Sequence, residues 1–494
     1  MVCQIESNDI DQFAIHFAGV IMRYPPHVAA SEPLARLPAR PLFGTDGMRG
    51  KVGDILTPNL AQQVGFWAGE TMKAQAATSG PVILGQDSRL SSPALAAALT
   101  MGFSAAGVDV WDVGLCPTPA VAYLVQTTPA IGGAMISASH NPPADNGIKL
   151  FEASGYKLCQ EHQIKIEQAL RQYAFGACNR RATLPGRRFR RPELLAKYLD
   201  HLTAPTHRLQ PRPLTGLKVV LDLAWGAAVF LGPTLFRRLG AEVVCLHDQP
   251  RGSCINVKCG STHLPPLQRA VLATQADLGF AFDGDADRVM AVDHQGNPVD
   301  GDYMLYLLGS YLKQRGLLPH SLLVATVMAN LSFEQAWQRQ GGQIMRTSVG
   351  DQAVHQAMEV SGAILGGEPS GHILCRHFGI SGDGLATALH LSLLVQKSQT
   401  CLANLVKQSF RPYPQRLCNV PIADPSRPRQ WQQCEPLLTA IETARSAIGS
   451  GGRILVRASG TEPVLRVMVE AATADLVDYW ANHLAGVARI YLAD

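Results

Sequence analysis

Residues 81–113, PVILGQDSRLSSPALAAALTMGFSAAGVDVWDV, decide the fold class of the chain. They predict a strand at 82–85, a helix that begins at Ser91 and ends before Gly107, and a second strand at 108–113. A serine cap followed by a proline is typical of the first turn of a helix. A strand, a helix and a strand in this order indicate a mainly parallel sheet, and therefore an α/β protein.

The same alternation of strands and helices recurs twice further along. Over 217–282 it includes a predicted helix at 227–239 and predicted strands at 242–246 and 278–282, and over 301–365 it includes a predicted strand at 322–326. Three successive units of similar length predict three similarly built mixed α/β domains. The last segment differs, because its predicted strands flank one turn, which indicates a smaller C-terminal α+β domain with an antiparallel sheet. The predicted boundaries are an extension at 1–40 that is disordered or loosely docked, α/β domains at 41–207, 208–304 and 305–415, and the α+β domain at 416–494.

The composition limits the class of protein. A chain of 494 residues is too long for one hydrophobic core, and 47% hydrophobic with 17% charged residues suit a well-packed soluble enzyme. The net charge of +4 is too small to indicate nucleic acid as a partner, and no apolar run is long enough to span a membrane. The eleven cysteines form no C-x-x-C pair, so we interpret them as reduced thiols of a cytoplasmic protein.

Five polar, glycine-rich loops follow predicted strands, and ligands usually bind at the carboxyl ends of strands in α/β proteins. In chain order they read FGTDGMRG at 43–50, SASHNP at 137–142 with NGIK at 146–149, DGDADR at 283–288, GGEPSGH at 366–372 and RASGTEP at 457–463. In the first loop, glycines allow the backbone to approach a ligand closely, and the forked side chain of Arg49 can bind phosphate oxygens. A plain turn would explain this loop equally well.

Ser139 in the second loop is a small nucleophile that follows an apolar strand. One interpretation is a hydrolase that uses Ser139 with His140. However, neighbouring side chains generally point apart, and the chain contains no G-x-S-x-G turn. Ser139 is therefore better interpreted as a phosphoryl acceptor. Lys149 can neutralise phosphate charge or act as a general acid and base.

The third loop places Asp283, Asp285 and Asp287 within five residues, between two apolar strands. Three carboxylates in a half-buried loop repel one another unless a cation lies among them. A set of oxygen ligands suits a hard ion such as Mg²⁺. A solvated acidic turn is the alternative. The pattern lacks both the bidentate glutamate of an EF-hand and the D-x-D-x-T string of haloacid dehalogenases.

The fourth and fifth loops contain groups suited to a sugar and to an anion. Glu368 and Ser370 can form hydrogen bonds with vicinal hydroxyls, and His372 can contact a hydroxyl or a phosphate. Arg457, with the hydroxyls and backbone N–H groups of a glycine turn, is typical of an anion nest. The chain has no G-x-x-x-x-G-K loop, which disfavours nucleotide hydrolysis.

In this order, the five loops resemble those of the α-D-phosphohexomutase superfamily, over the chain from about residue 42 to its end. The strings FGTDGMRGKVG, GGEPSGHI and SGTEPVLRVMVE are most similar to its phosphoglucosamine mutase branch. The resemblance implies four domains around a central active-site cleft. It also implies catalytic roles for Ser139, His140, Lys149, Arg49 and Arg288. One Mg²⁺ ion would be held by the phosphate on Ser139 and by Asp283, Asp285 and Asp287. The implied substrate-binding residues are Glu368, Ser370, His372, Arg457, Ser459, Gly460 and Thr461.

The activity implied by the resemblance is the interconversion of glucosamine 6-phosphate and glucosamine 1-phosphate, which supplies amino-sugar and cell-wall precursors. It would proceed through phosphorylated Ser139 and a sugar 1,6-bisphosphate, and the first phosphoryl group would come from such a bisphosphate or from a priming kinase. A glucose- or mannose-directed mutase and a non-catalytic sugar-phosphate sensor are the alternatives. As partners we expect a sugar phosphate but no nucleic acid or membrane, with the chain a monomer or homodimer. One departure from the family is Ala286, where many relatives carry glycine.

Overall fold

The computed structural model describes residues 37–38, 40–172, 184–204, 211–422, 427–459 and 463–492. The predicted extension at 1–40 lies almost wholly outside these ranges. The chain divides into two compact units. The first consists of Met1–Phe43, Gly47–Ala204 and Arg251–Ser253, and the second of Gly44–Asp46, Pro205–Pro250 and Cys254–Asp494.

The first unit is built on one mixed sheet. Its strands are β1 (Phe43–Gly44), β2 (Gly47–Lys51), β3 (Val82–Gln86), β4 (Val110–Leu115), β5 (Gly132–Ile136), β6 (Asp145–Glu152) and β7 (Arg188–Arg190). They lie in the order β1-β2-β6-β5-β3-β4-β7. Strands β5, β3, β4 and β7 pair in parallel, whereas β6 is antiparallel to both β5 and β2. The predicted parallel arrangement is therefore confirmed for only part of this sheet.

The helices of the first unit are α1 (Pro58–Gln75), α2 (Ser92–Ala105), α3 (Thr118–Thr127), α4 (Gln160–Gln172) and α5 (Leu195–Thr203). Helix α2 begins within one residue of its predicted start, and proline lies in its first turn as expected. Ser91 occupies the predicted N-cap position, but its side chain caps no backbone N–H group. Its Oγ instead accepts a hydrogen bond from Asn146 Nδ2 (2.8 Å).

Helices α1 and α2 pack with their backbones almost touching at two glycines. A Cβ atom on Gly65 would lie 2.2 Å from the carbonyl oxygen of Leu99, and one on Gly102 would lie 2.0 Å from that of Gln62. Such distances exclude any side chain at either position. Buried apolar residues of both helices continue this contact into the core that covers the sheet.

The second unit contains three further sheets. Their strands are β8 (Lys218–Asp222), β9 (Glu242–Leu246), β10 (Leu278–Phe282), β11 (Val289–Asp293), β12 (Pro298–Val299), β13 (Leu322–Thr326), β14 (Gln343–Thr347), β15 (Leu365–Gly367), β16 (Ile373–Cys375), β17 (Gln415–Pro421), β18 (Arg453–Ala458) and β19 (Val464–Glu470). The strand orders are β12-β11-β10-β8-β9, β14-β13-β15-β16 and β17-β19-β18. The last sheet is antiparallel throughout, as predicted for a C-terminal α+β domain.

The helices of the second unit are α6 (Leu231–Arg238), α7 (Pro265–Thr274), α8 (Gly301–Gln314), α9 (Leu331–Arg339), α10 (Asp351–Ser361), α11 (Gly384–Ser398), α12 (Leu402–Ser409), α13 (Glu435–Ile448) and α14 (Ala474–Leu492). Helix α6 is shorter than the helix predicted over 227–239. It begins at Leu231 rather than at 227, and residues 227–230 form turns instead.

Candidate active site

Ser139 lies in a turn after β5, and we call residues 137–145 the serine loop. Its φ of 53° is in the left-handed region that serine rarely adopts, and its side chain is buried. Ser139 Oγ lies 3.3 Å from Nδ1 of His140. The expectation that these neighbouring side chains point apart is therefore wrong, because the left-handed turn brings them to the same side.

Asp87 and Arg89, which the sequence analysis missed as functional residues, support the serine loop. Both side chains are fully buried and form an ion pair of 2.9 Å. Asp87 also accepts hydrogen bonds from the hydroxyls of Ser92 (2.8 Å) and Ser137 (2.7 Å). Burial raises the pKa of the Asp87 carboxyl, although the adjacent Arg89 lowers it. The sequence did offer a signal for these two residues, because they lie in a polar turn after β3. Strand β3 is parallel to β5, so the turns that follow the two strands lie at the same edge of the sheet.

Arg49 and Lys149 were predicted in loops, but each lies within a strand. Arg49 is on β2 opposite Gly147 of β6, and Lys149 is two residues further along β6. Directly opposite residues share one face of a sheet, as do residues two apart on one strand, so the two cations lie on the same face. A Cβ atom at Gly147 would lie 2.3 Å from the carbonyl oxygen of Ser137 and 3.2 Å from Arg49 Cγ, so the glycine leaves room for both groups. Lys149 is buried, so its charge requires an anionic partner.

In the second unit, residues 283–288 join β10 to β11 and form what we call the acidic loop. Asp283, Asp285 and Asp287 are all buried, and each offers a carboxylate oxygen within 4.8 Å of the other two. Three converging carboxylates in a buried loop repel one another strongly unless a cation lies among them. The acidic loop therefore fits a metal ion, and its oxygen donors fit a hard one.

Two further predicted residues lie close to Asp287: Arg288, the last residue of the acidic loop, and His372. Arg288 Nε is 3.8 Å from Asp287 Oδ1, and His372 Nδ1 is 3.6 Å from the same oxygen. Burial alone lowers the pKa of the Arg288 guanidinium, but nearby carboxylates, Asp287 and Asp283 foremost, raise it above its ordinary value. Arg288 therefore carries a fixed positive charge at the edge of the acidic loop.

The sugar-binding residues predicted in the fourth loop differ in exposure. Glu368 is buried and accepts a hydrogen bond from the backbone N–H of Gly350 (3.1 Å), and His372 is buried as well. Ser370 is exposed. The second unit thus brings Glu368 and His372 together with the acidic loop.

The predicted anion site begins on β18. Arg457 lies directly opposite Arg466 on β19, and its Nε is buried without a hydrogen-bond partner. Burial and the charge of Arg466 lower the pKa of Arg457, whereas Glu368 raises it. Two adjacent guanidinium groups favour an anion between them. Ser459 is buried at the end of the strand, and Gly460 and Thr461 lie outside the described residues.

Two more groups of metal-binding side chains occur among the described residues. Asp222, His247 and Cys259 form a buried group, and Glu152, Cys159 and His162 form a more exposed one. In the buried group, the Asp222 carboxylate accepts backbone N–H groups from Ala224 and Gly260 (both 3.0 Å) and contacts His247 Nδ1 (2.8 Å). These bonds connect the Asp222 carboxylate to two turns of the backbone.

Family models describe four consecutive parts of the chain. They match phosphoglucomutase/phosphomannomutase α/β/α domain I at 40–177, domain II at 196–296, domain III at 300–413 and the C-terminal domain at 417–487. The chain belongs to this family. The predicted family and the fold class of four α/β-type domains are thereby confirmed. Which residues of this phosphohexomutase act in catalysis remains a prediction, as do the domain boundaries stated above.

Curated relatives are similar to this phosphohexomutase over most of its length. It is 58% identical to the phosphoglucosamine mutase of Nostoc sp. over 460 residues, which cover 93% of each chain. It is 57% identical to the phosphoglucosamine mutase of Synechocystis sp. over 459 residues, which cover 93% of this chain and 95% of the relative.

Solved structures share the fold at lower identity. A phosphoglucomutase/phosphomannomutase family protein from Burkholderia thailandensis superposes with a TM-score of 0.74 at 23% identity, covering 91% of this chain and 97% of that one. Aspergillus fumigatus N-acetylphosphoglucosamine mutase, in complex with GlcNAc-6P and magnesium, gives a TM-score of 0.65 at 18% identity, covering 92% and 96%. Among the described helices of this phosphohexomutase, none has the length and apolar character that a membrane span requires.

Proposed function

We propose that this phosphohexomutase is a phosphoglucosamine mutase, which interconverts glucosamine 6-phosphate and glucosamine 1-phosphate. The observation that carries the reaction is the buried trio Asp283, Asp285 and Asp287 beside Arg288, because such a site holds and balances the charge of a transferring phosphoryl group. The substrate is inferred from relatives that are 55–58% identical to the chain and bear this name.

In the proposed reaction, phosphorylated Ser139 gives its phosphoryl group to O1 of the sugar 6-phosphate. Ser139 Oγ keeps the electrons of the broken P–O bond, and the proton of the sugar hydroxyl passes to a general base, for which Lys149 is the candidate. The resulting 1,6-bisphosphate reorients and returns its 6-phosphoryl group to Ser139. A hexosamine or hexose 1,6-bisphosphate would phosphorylate Ser139 for the first turnover, with a priming kinase as the alternative.

The remaining residues would bind the metal ion and the substrate and position them for the transfer. Asp283, Asp285 and Asp287 would hold one Mg²⁺ ion, which when bound neutralises charge on the phosphoryl group. Arg49 and Arg288 supply fixed positive charge. Glu368, Ser370 and His372 would bind sugar hydroxyls, while Arg457, Ser459, Gly460 and Thr461 would bind the phosphate that is not transferred. Positioning and charge balance provide most of the rate in phosphoryl transfer, and these side chains are suited to both.

The function is tested by replacing the nucleophile. Ser139→Ala removes the oxygen that carries the phosphoryl group, so turnover of glucosamine 6-phosphate with Mg²⁺ and glucose 1,6-bisphosphate should fall by at least about 10⁴-fold. Ser154→Ala, at an exposed serine of the same unit, is the matched control and should retain full activity. Mass spectrometry of the wild-type protein should show one phosphoryl group on the peptide that contains Ser139.

The same assay distinguishes the alternatives. Higher kcat/KM on glucose or mannose phosphates would replace the proposed substrate but keep the reaction. Wild-type protein that binds sugar phosphates without turnover would indicate a sensor. Substantial turnover by Ser139→Ala would remove Ser139 from the mechanism.

A further inference from the structure

Ser139 needs an external support for its conformation. A non-glycine residue at φ 53° is held there only when its surroundings determine it. The direction of the Cα–Cβ bond, and hence the position of Oγ, depends on how the two flanking peptide groups are fixed. The hydrogen bonds of those two peptide groups therefore show what positions the nucleophile.

Both peptide groups are connected by hydrogen bonds to the ion pair of Asp87 and Arg89. The carbonyl oxygen of Ser139 accepts a hydrogen bond from Arg89 Nη2 (2.9 Å). On the other side, the N–H of Ser139 donates to Ser137 Oγ (2.9 Å), and that hydroxyl donates to Asp87 Oδ2 (2.7 Å). The same Asp87 oxygen accepts from Arg89 Nε (2.9 Å). The bonds close a ring that runs from Ser139 through Ser137, Asp87 and Arg89 back to Ser139.

Arg89 uses its whole guanidinium group in this support. Arginine has five N–H donors in a fixed plane. One bonds to Asp87, and the other four bond to backbone carbonyls of the serine loop, those of Ser139, Asn141, Pro142 and Asp145. Lysine has three donors without this planar arrangement, so it cannot reproduce the pattern.

We propose that Asp87 and Arg89 are positioning residues that set the orientation of Ser139 for phosphoryl transfer. This inference rests on the proposed function of Ser139. Both side chains are fully buried, so they act through the backbone of the serine loop and do not touch the substrate. Their loss should therefore lower the rate of transfer and leave the binding of the sugar phosphate almost unchanged.

The test is Arg89→Lys, which keeps the positive charge but removes two of the five donors. Since a misplacement of about 1 Å can cost about 100-fold in rate, kcat should fall about 10- to 100-fold while KM for glucosamine 6-phosphate changes less than about threefold. Arg171→Lys is the matched control, because Arg171 also joins a carboxylate, that of Glu167, to two backbone carbonyls in the same unit. This control should keep wild-type kcat.

Two additional variants keep the inference testable if Arg89→Lys does not fold. Ser137→Ala breaks only the N–H side of the ring and should lower kcat about tenfold with a similar melting temperature. Arg89→Ala should recover part of its kcat when guanidinium ions are added at millimolar concentration, whereas an equal concentration of sodium ions should have no effect.

Wild-type kcat in both Arg89→Lys and Ser137→Ala would overturn the inference, as would an equal change in KM and kcat. These results would leave the proposed function intact as long as Ser139→Ala is inactive. Conversely, an active Ser139→Ala variant would overturn the proposed function whatever the Arg89 variants show.

Discussion

The serine loop and the acidic loop solve one conformational problem in different ways. Each contains a non-glycine residue in the left-handed region, Ser139 at φ 53° and Ala286 at φ 56°. Such a conformation costs about 1–2 kcal/mol for an L-residue, so each loop must be stabilised by its surroundings. In the serine loop, the stabilising bonds come from the buried side chains of Asp87 and Arg89.

The acidic loop is held mostly by main-chain groups, together with one bond in which the Asp283 carboxylate accepts the N–H of Arg288 (3.2 Å). The N–H of Gly384, at the start of α11, donates to the carbonyl of Ala286 (3.0 Å), and the N–H of Ala227 donates to that of Gly284 (2.8 Å). These bonds depend on close approach of backbones rather than on the identity of a side chain. The serine loop should therefore be sensitive to exchange of polar residues, and the acidic loop to added volume at its glycine neighbours.

If backbone bonds and Asp283 hold the acidic loop, the Asp285 carboxylate can be changed without unfolding it. Asp285→Asn should lower activity at least about 100-fold, because it removes a charged ligand for the proposed Mg²⁺ ion. In EDTA the same variant should melt at a higher temperature than wild type, because repulsion among the three buried carboxylates is reduced. Steady-state assays across Mg²⁺ concentrations and thermal melts measure the two effects.

Asp248→Asn is the control for this prediction, since Asp248 is an exposed carboxylate of the same unit. It should alter neither the Mg²⁺ dependence nor the melting temperature in EDTA. An Asp285→Asn enzyme with wild-type Mg²⁺ dependence would contradict the role of the trio.

An added methyl group at the contact that holds the acidic loop should have a smaller effect. In Gly384→Ala the new Cβ would lie 2.7 Å from the carbonyl oxygen of Arg288 and 2.9 Å from that of Ala286. We expect a loss of about 1–3 kcal/mol in the free energy of unfolding, with weaker activation by Mg²⁺. Denaturant titration and the Mg²⁺ dependence of activity test this.

Gly379→Ala provides the comparison, because its Cβ would have no atom within 4 Å. It should change the free energy of unfolding by less than about 0.5 kcal/mol. Equal destabilisation by the two substitutions would mean that crowding of the acidic loop is not the cause.

The smallest expected effect is a gain in the free energy of unfolding. Ala286→Gly removes the steric cost of the left-handed conformation but adds freedom to the unfolded chain, so the two contributions nearly cancel. We expect a stabilisation of at most about 1 kcal/mol, with kcat unchanged. A clear loss of stability in denaturant titration would show that the Ala286 methyl group makes a favourable contact that outweighs the strain.

The sequence predicted best those features that local strings encode. Strands β9, β10 and β13 have the predicted bounds, because short apolar runs that are bounded by turn residues favour strands. Ser139 and the three aspartates were found as candidates because a small nucleophile or a cluster of acids at the end of such a strand is typical of a ligand site.

Residues whose place depends on distant pairing were harder to predict. Lys149 was assigned to a loop because Asn146 and Gly147 resemble turn residues, yet the segment is a strand through its pairing with β2 and β5. Arg89 lies in a polar turn after β3, but its role depends on carbonyls at least 50 residues further along the chain. Nothing in the string around Arg89 specifies that contact.

The close packing of α1 on α2 has a consequence for reading natural variation and genetic screens. Helix α2 is connected to the serine loop through its first residue, because the hydroxyl of Ser92 donates to Asp87. Any side chain at Gly65 or Gly102 must push α1 and α2 apart. We expect a shift of α2 to pass along that bond toward Ser139. Substitutions at these two glycines should therefore lower activity in the same way as substitutions that displace the nucleophile, although both positions lie in a helix–helix contact.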